Sequence, residues 1–466
     1  MDATFQSYGA AREVTGSKHL VKIGSKQLLL DCGMFQGKRA EADAKNRQLP
    51  FAPAAIEAMV LSHGHFDHSG NAPTLIKNGY GGNIYTTSAT RDIANLILLD
   101  SAHLMAKDYE WLCRKRPGQC AFEPLFNERD VIHTMEHVVT LGFHRAFKLP
   151  GDVECTLYNS GHILGSAVTV MTYEAGGREV KTAFTGDLGR EGMPILPAPE
   201  AIPAVDYLIC EGTYGNRLHD PIADAQRQLG EVVNDTIRKG GKLIIPAFAV
   251  GRTQELIFFL HLLKDAGTTP DVDIYVDSPM AVNATSIFRV HPECYGDDIR
   301  QAFVDHHENP FGFEKLHYVT DVNESKRLNE RKEPCIIISS SGMCEGGRIL
   351  HHLKNNVGDP KNTILVVGFM AENTLGRAIA DRRREVRIFG ESYPLRARVK
   401  ILNTFSGHAD SRDLVKYVRR LDPGRLRCVY LVHGETDALT NLRSLLLEAG
   451  VRQVEVVDYG RDYPLA

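Results

Sequence analysis

The sequence contains a dense cluster of residues that can bind metal ions, His63-Gly64-His65-Phe66-Asp67-His68. Side chains two apart in an extended segment point the same way, so His63 and His65 can share one metal ion. The turn that follows would present Asp67 and His68 in another direction. Imidazole nitrogens and carboxylate oxygens without a thiolate suit a catalytic zinc site. A polar loop with surface histidines is the alternative interpretation, and four ligands in six residues after an apolar run argue against it.

Four more candidate ligands follow apolar runs elsewhere in the chain. They are His162 in NSGHILGSA, Asp187 in FTGDLGR, His408 in FSGHAD and His433 in LVHGE. Each is flanked by glycine, which lets the backbone approach a ligand closely. Each motif alone is also typical of an ordinary turn. The recurrence of one setting is what favours a shared metal site.

The elements that must position these residues change character along the chain. The first half has short strand-like runs that end in polar loops, such as 58–62, and one helical stretch over about 88–113. After a proline-rich connector at 194–204, strands and helices alternate regularly, which is typical of a doubly wound α/β domain. Beyond it, histidines again follow apolar strands. These patterns predict an α/β protein in which a second domain (206–394) is inserted into a first domain formed by 1–205 and 395–466.

Composition and charge narrow the class of protein. The chain has 466 residues, of which 43% are hydrophobic and 24% charged, as in a soluble protein of two or three domains. The formal net charge of −4 excludes the overall basic field of a nonspecific polyanion binder. No apolar stretch approaches about 18 residues, and the N-terminus lacks the features of a signal peptide. We therefore expect a cytoplasmic protein with no membrane partner.

Ten motifs along the chain, in this order, resemble one known family. They are GAAREVTGSKHLV, LLLDCG, SHGHFDHSG, SGHILGSA, FTGDLGR, CEGTYGNRLH, PAFAVGRTQE, SSSGMCEGG, FSGHAD and LVHGE. They resemble the metallo-β-lactamase superfamily, whose metal motif reads H-x-H-x-D-H, and its β-CASP nucleic-acid-processing branch. Within that branch they are similar to bacterial and archaeal relatives of the endonuclease of messenger-RNA 3′-end processing. The resemblance implies a metallo-β-lactamase αββα sandwich with an inserted doubly wound β-CASP domain.

The same resemblance implies two zinc ions and assigns roles to single residues. Asp31 would orient the metal loop from behind the ligands. Glu211 would hold and orient the imidazole of His408, which becomes a candidate general acid. The implied catalytic residues are thus Asp67, Glu211 and His408. The implied ligands are His63, His65 and His162 for the first zinc, Asp67, His68 and His433 for the second, and Asp187 for both.

Candidate contacts to substrate lie in the second half of the chain. The segment 377–400 carries eight basic and three acidic residues, which suits phosphate binding but is equally typical of a solvated face. The run Ser340-Ser341-Gly342 follows an apolar strand and can offer hydroxyls and backbone N–H groups to a phosphate. A helix-start turn with a serine cap is the alternative. Arg252 and Arg377 are further candidates for contacts to RNA.

The leading hypothesis is a zinc-dependent ribonuclease that cuts single-stranded RNA internally in RNA processing or decay. Two metal ions about 3.5–4 Å apart can activate a water and clamp an in-line displacement at phosphorus, leaving 5′-phosphate and 3′-hydroxyl ends. A 5′-exoribonuclease on the same fold and a small-molecule metallo-hydrolase are the alternatives. A non-enzymatic RNA-binding scaffold is disfavoured because no ligand of the family is missing. The sequence is compatible with a homo-oligomer.

Overall fold

The computed structural model describes residues 2–37, 39–115, 123–305, 309–368, 370–371 and 373–466. The chain divides into two compact units, and both are built from separate stretches of sequence. The first unit consists of Met1–Glu191, Pro197–Leu218 and His408–Ala466. The second consists of Gly192–Leu196 and His219–Gly407.

The first unit contains two seven-stranded sheets, with the strand orders β22-β1-β2-β3-β4-β5-β6 and β21-β20-β11-β10-β9-β8-β7. The strands are β1 (Ala3–Ser7), β2 (His19–Ile23), β3 (Lys26–Leu30), β4 (Ala58–Val60), β5 (Asn83–Thr86), β6 (Val138–Thr140), β7 (Phe147–Leu149), β8 (Val153–Asn159), β9 (Ala167–Ala175), β10 (Arg178–Phe184), β11 (Tyr207–Glu211), β20 (Cys428–Val432), β21 (Val454–Val456) and β22 (Asp462–Pro464). Its helices are α1 (Arg39–Arg47), α2 (Phe66–Ser69), α3 (Ala72–Lys77), α4 (Ser88–Lys115), α5 (Glu128–Glu136), α13 (Ser411–Arg419) and α14 (Thr436–Glu448).

The two sheets of the first unit face each other and carry helices on their outer sides. In β3, Leu28 and Leu30 belong to the core between the sheets, while Leu29 packs in the core shared with α3 and α4. In β11, Ile209 points into the inner core and Leu208 packs with α13 and α14. Both faces of these strands are covered, which explains their near-continuous apolar sequences. The unit is therefore the αββα sandwich expected from the sequence.

The second unit is built on a sheet of six parallel strands in the order β14-β13-β15-β12-β16-β19. These strands are β12 (Leu243–Pro246), β13 (Ile274–Val276), β14 (Leu316–Tyr318), β15 (Ile336–Ser339), β16 (Thr363–Val366) and β19 (Arg398–Ile401), and a separate hairpin is formed by β17 (Glu385–Ile388) and β18 (Glu391–Pro394). The helices are α6 (Ala225–Arg238), α7 (Arg252–Asp265), α8 (Pro279–Val290), α9 (Asp297–Asp305), α10 (Val322–Glu330), α11 (Ile349–Asn356) and α12 (Leu375–Ala380). This is the doubly wound α/β arrangement predicted from the regular alternation of strands and helices.

The boundaries between the two units differ from the expected boundaries at residues 206 and 394. Strand β11 pairs in parallel with β10 and β20, so it belongs to the first unit, which extends to Leu218. Strand β19 pairs in parallel with β16, so the second unit continues to Gly407. Buried parallel strands all have near-continuous apolar sequences, and such a run does not reveal which sheet it joins. Within the described residues, no helix is both long and apolar enough to cross a membrane.

Candidate metal centre

The candidate ligands of the first unit lie beyond the carboxyl ends of strands, in loops or, for Asp67 and His68, in the short helix α2. His63 and His65 follow β4, Asp187 follows β10, and His433 follows β20 directly. Strands β10, β11 and β20 run parallel, and so do β3 and β4. Parallel strands end at the same edge of a sheet, where ligand sites of α/β proteins collect. The fold therefore gathers residues from distant parts of the sequence at one edge of the sandwich.

One group of ligands consists of His63, His65, His162 and Asp187, whose donor atoms all lie within 4.8 Å of one another. Nδ1 of His65 lies 3.2 Å from Nε2 of His63 and 3.1 Å from Nε2 of His162. Both of these Nε2 atoms lie 3.4 Å from Oδ2 of Asp187. Three ring nitrogens and one carboxylate oxygen thus surround a common point, as in a four-coordinate zinc site.

A second group consists of Asp67, His68 and His433. The Nε2 atoms of His68 and His433 lie 3.1 Å apart, and Nε2 of His433 lies 3.6 Å from Oδ2 of Asp67. Oδ1 of Asp187 lies 3.3 Å from Nε2 of His68. The Asp187 carboxylate therefore presents one oxygen to each group, an arrangement that would suit a bridging ligand.

The chemistry of both groups fits metal ions better than a network of hydrogen bonds. The facing ring nitrogens can form hydrogen bonds to one another only if one of them carries the proton. Oδ1 of Asp187 is buried and has no hydrogen-bond partner among the residues described. Burial lowers the pKa of His63 and lowers that of His65 to about 4, which keeps their lone pairs available for a metal. A cation at each group would satisfy these atoms.

Asp31 forms hydrogen bonds to the candidate ligand His68 and to Ser62, on the side away from the candidate metal positions. It is fully buried, and its Oδ2 accepts a hydrogen bond from Nδ1 of His68 at 2.7 Å. The same carboxylate accepts hydrogen bonds from the backbone N–H and the hydroxyl of Ser62 at 2.8 and 2.9 Å. The Ser62 hydroxyl lies 3.1 Å from Nδ1 of His63 and can accept a hydrogen bond from its N–H. Both imidazoles thus keep Nε2 for the metal.

Thr213 does the same for His433 and was missed in the sequence. Its hydroxyl donates to the backbone carbonyl of His433 at 3.1 Å and lies 3.0 Å from Nδ1 of that ring. Because this hydroxyl already donates to the carbonyl, it can accept a hydrogen bond from Nδ1–H, and Nε2 is then left for a metal. The only hint in the sequence was that Thr213 stands two residues after Glu211, and hydroxyl residues are too common in loops to be singled out there.

A buried chain of hydrogen bonds continues from Asp31 into the sandwich. Ser17 donates to Oδ2 of Asp31 at 3.3 Å and lies 3.1 Å from Nε2 of His19. Nδ1 of His19 lies 2.9 Å from the hydroxyl of Ser7. Burial lowers the pKa of His19 to about 3, so the ring stays neutral at physiological pH. No sequence pattern singles out Ser7, Ser17 or His19 for this role.

Glu211 and His408 lie beside the ligands. Nδ1 of His408 is 3.3 Å from Oε1 of Glu211 and 3.8 Å from Oδ2 of Asp187. Burial disfavours the charged ring, but the two carboxylates outweigh it and raise the pKa of His408 to about 9. Glu211 is itself buried and also accepts the backbone N–H of Leu188 at 2.6 Å. His408 is thus held as a protonated imidazole next to the candidate metal site.

The two arginines expected to contact substrate are both paired with carboxylates three or four residues further along the chain. Arg252, the first residue of α7, forms an ion pair with Glu255. Arg377, in α12, donates from Nε to Oδ1 of Asp381 at 2.8 Å and keeps 43% of its side chain exposed. A contact to phosphate would have to share or replace these partners.

The serine loop after β15 uses part of its polar groups internally. The Ser341 N–H donates to the carbonyl of Gly346, and its hydroxyl accepts the N–H groups of Glu345 and Gly346 at 3.0 and 3.3 Å. The Ser340 hydroxyl oxygen is buried and has no partner within the described part of the chain. Gly342 is buried against Phe248. Of the expected phosphate donors, the Ser341 N–H is therefore already used within the loop.

A paired-sheet sandwich with two adjoining groups of histidine and aspartate ligands at one edge defines a metallo-β-lactamase-type protein. Family models agree along the chain: the metallo-beta-lactamase superfamily matches residues 14–96, the Beta-Casp domain 253–379, and the Zn-dependent metallo-hydrolase RNA specificity domain 392–457. The chain belongs to the β-CASP branch of the metallo-β-lactamase superfamily, which confirms the resemblance seen in its motifs.

Curated relatives match over nearly the whole chain. Ribonuclease TTHA0252 from Thermus thermophilus is 37% identical, over 98% of this chain and 99% of the relative. Transcription termination factor FttA is 33% identical in Methanosarcina mazei, over 94% of this chain and 67% of that protein, and 34% identical in Pyrococcus abyssi, over 93% and 67%. A solved structure of a protein of unknown function from Enterococcus faecalis V583 covers both chains fully with a TM-score of 0.58 at 13% identity, which shows the fold alone.

Proposed function

We propose that this protein is a zinc-dependent ribonuclease that cleaves single-stranded RNA at internal phosphodiester bonds. The observation that carries the proposal is the pair of ligand groups joined by Asp187, with the ion pair of Glu211 and His408 beside them. The full-length similarity to a protein named ribonuclease, and the family model named for RNA specificity, support RNA as the substrate. A cytoplasmic location is part of the same proposal.

Two zinc ions would be held by the residues named above. His63, His65 and His162 would bind the first, Asp67, His68 and His433 the second, and Asp187 both. When bound, such ions make water a good nucleophile near neutral pH and neutralise charge on a phosphate. Asp31, Ser62 and Thr213 would keep the imidazoles in the tautomers that bind metal.

His408 would supply the proton that the leaving oxygen needs. Its Nδ1 faces the Glu211 carboxylate, so Nε2 is the nitrogen left to donate to the 3′-oxygen of the departing nucleotide. Glu211 stabilises the charged ring and fixes its orientation. The products would carry a 5′-phosphate and a 3′-hydroxyl, because the 2′-hydroxyl takes no part.

A circular single-stranded RNA tests the proposal directly, because it has no ends. Incubation with the zinc-loaded protein should linearise it, and the new 5′ ends should accept label from a kinase only after phosphatase treatment. The same RNA with Asp187→Ala protein is the control and should stay circular. Elemental analysis of the wild type should find two zinc ions per chain.

Three outcomes would contradict the proposal in different ways. Intact circles together with 5′-end degradation of linear RNA would favour the 5′-exoribonuclease alternative. Products with a 2′,3′-cyclic phosphate would refute the mechanism, because that end group requires attack by the 2′-hydroxyl. A protein that hydrolyses lactams or thioesters but neither RNA substrate would be a small-molecule hydrolase.

A further inference from the structure

The second unit carries a basic cavity at the edge of its parallel sheet. Strand β19 is the last strand of this sheet and pairs only with β16 in the described structure. A cavity of about 350 Å³ opens beside it. Buried Ala397 and Val399 help to form its floor. Its lining residues are Arg382, Leu395, Arg396, Ala397, Arg398, Val399 and Lys400.

Four of the seven lining residues are cations, and only one of them is neutralised. Arg398 forms an ion pair with Asp235. Arg382, Arg396 and Lys400 are exposed, and among the described residues no carboxylate lies within the 4.0 Å of an ion pair from any of them. Like charges held together in this way repel one another, which is unfavourable unless an anion binds between them. The cavity therefore has the electrostatics of a polyanion site.

The spacing of the cations suits a polymer with regularly repeated charges. Residues two apart along a strand point to the same side and lie about 6.6 Å apart. Arg398 and Lys400 are related in this way within β19, and Arg396 lies in the segment that leads into this strand. Arg382 comes from the segment after α12 and lines the same cavity. A single anion would not need charges placed along a line.

We propose that this cavity, lined by Arg382, Arg396 and Lys400, binds the phosphate backbone of single-stranded RNA. The inference rests on the proposed function and adds a second contact region to it. The family model named for RNA specificity begins at residue 392 and includes Arg396, Arg398 and Lys400, which favours RNA over an acidic protein segment. The cavity lacks aromatic side chains for stacking on bases, so the binding should not depend on base sequence.

The test compares two double variants that each remove two positive charges from the second unit. Arg396→Ala with Lys400→Ala removes cations of the cavity. Lys326→Ala with Arg327→Ala, on α10, removes two exposed cations that do not line it. Both variants and their parent also carry His408→Ala to slow cleavage. Fluorescence anisotropy of a labelled single-stranded RNA then gives the dissociation constant between about 50 and 200 mM salt.

Each phosphate contact contributes about 0.7 to the slope of log affinity against log salt for a single strand. The cavity variant should lose about 1.4 from this slope, and the α10 variant should keep the slope of the parent. An unchanged slope in the cavity variant would overturn the proposal and would leave an acidic protein segment as the partner of the cavity. An equal loss of slope in the cavity variant and the α10 variant would also overturn it. A wild type that neither binds nor cleaves RNA would instead refute the proposed function.

Discussion

Replacing His408 by alanine should separate proton donation from metal binding. His408 is not in either of the two groups assigned to zinc, although its Nδ1 lies 3.8 Å from Oδ2 of Asp187. Its imidazole lies beside that of His162, with 4.4 Å between ring centroids, and 22% of its side chain is exposed. His408→Ala should therefore retain two zinc ions per chain. His433→Ala should lose zinc, because it removes a ligand of the second ion.

The size of the effect depends on the group that leaves. A positioned general acid contributes about 10²–10⁴-fold, and most when the leaving oxygen is strongly basic. The 3′-oxygen of RNA is such a group, so His408→Ala should lose about 10²–10⁴-fold in kcat on RNA. The 4-nitrophenolate of bis(4-nitrophenyl) phosphate departs without a proton, so its hydrolysis should change far less. The two losses should differ by about 10²-fold or more.

The assay measures kcat on both substrates for the wild type, His408→Ala and Glu211→Gln, with zinc counted in each preparation. Glu211→Gln should show the same pattern more mildly, since the amide oxygen can still accept from His408 and from Leu188 N–H. Equal losses on both substrates with zinc retained would refute the general-acid role. His408 would then act on the phosphate or on the metal ligands.

Two further perturbations test the metal bridge and the buried histidine. Asp187→Ala should lower the zinc content below two ions per chain in elemental analysis. The control Asp458→Ala removes an exposed carboxylate of the same unit and should keep both ions. Equal zinc contents in the two variants would exclude a bridging role for Asp187. The ordinary pKa of histidine is 6.5 and burial lowers that of His19 to about 3, so below pH 6.5 the unfolded chain binds a proton that the folded chain does not. Because of this residue, the free energy of unfolding should fall by about 2 kcal/mol between pH 7 and pH 5. In urea unfolding, the free energy of His19→Phe should fall by about 2 kcal/mol less over the same pH range. An identical pH dependence in both proteins would mean that His19 is charged in the fold.

The sequence indicated the candidate ligands more clearly than the groups that form hydrogen bonds to them. The H-x-H-x-D-H cluster and the glycine-flanked histidines are recognisable because few other functions need such residues at strand ends. Ser62 and Thr213 set the tautomers of two ligands, but a serine or threonine in a loop has no distinctive spacing. His19 lies inside a strand, where its neutral, buried state follows only from the tertiary structure around it.

Charge patterns were similarly incomplete as a guide to binding. The eight basic residues of 377–400 read as one segment in the sequence. In the structure, Arg377 is paired with Asp381, which directly follows its helix α12. Arg398, in strand β19, is paired with Asp235 of helix α6. Which cations remain available depends on carboxylates that are distant in sequence. Only the fold could therefore distinguish Arg396 and Lys400 from their paired neighbours.

The turn after β10 links every part of the candidate site through three consecutive residues. Asp187 presents one carboxylate oxygen to each ligand group. The N–H of Leu188 donates to Glu211, the partner of His408, at 2.6 Å. The N–H of Gly189 donates to the carbonyl of Ser160 at 2.8 Å, and a Cβ at position 189 would lie 1.9 Å from the carbonyl oxygen of Gly161, so only glycine fits there. A shift of this turn would move the Asp187 carboxylate, the partner of His408 and the His162 loop together, so one short motif would set the geometry of the proposed metal binding and proton transfer at once.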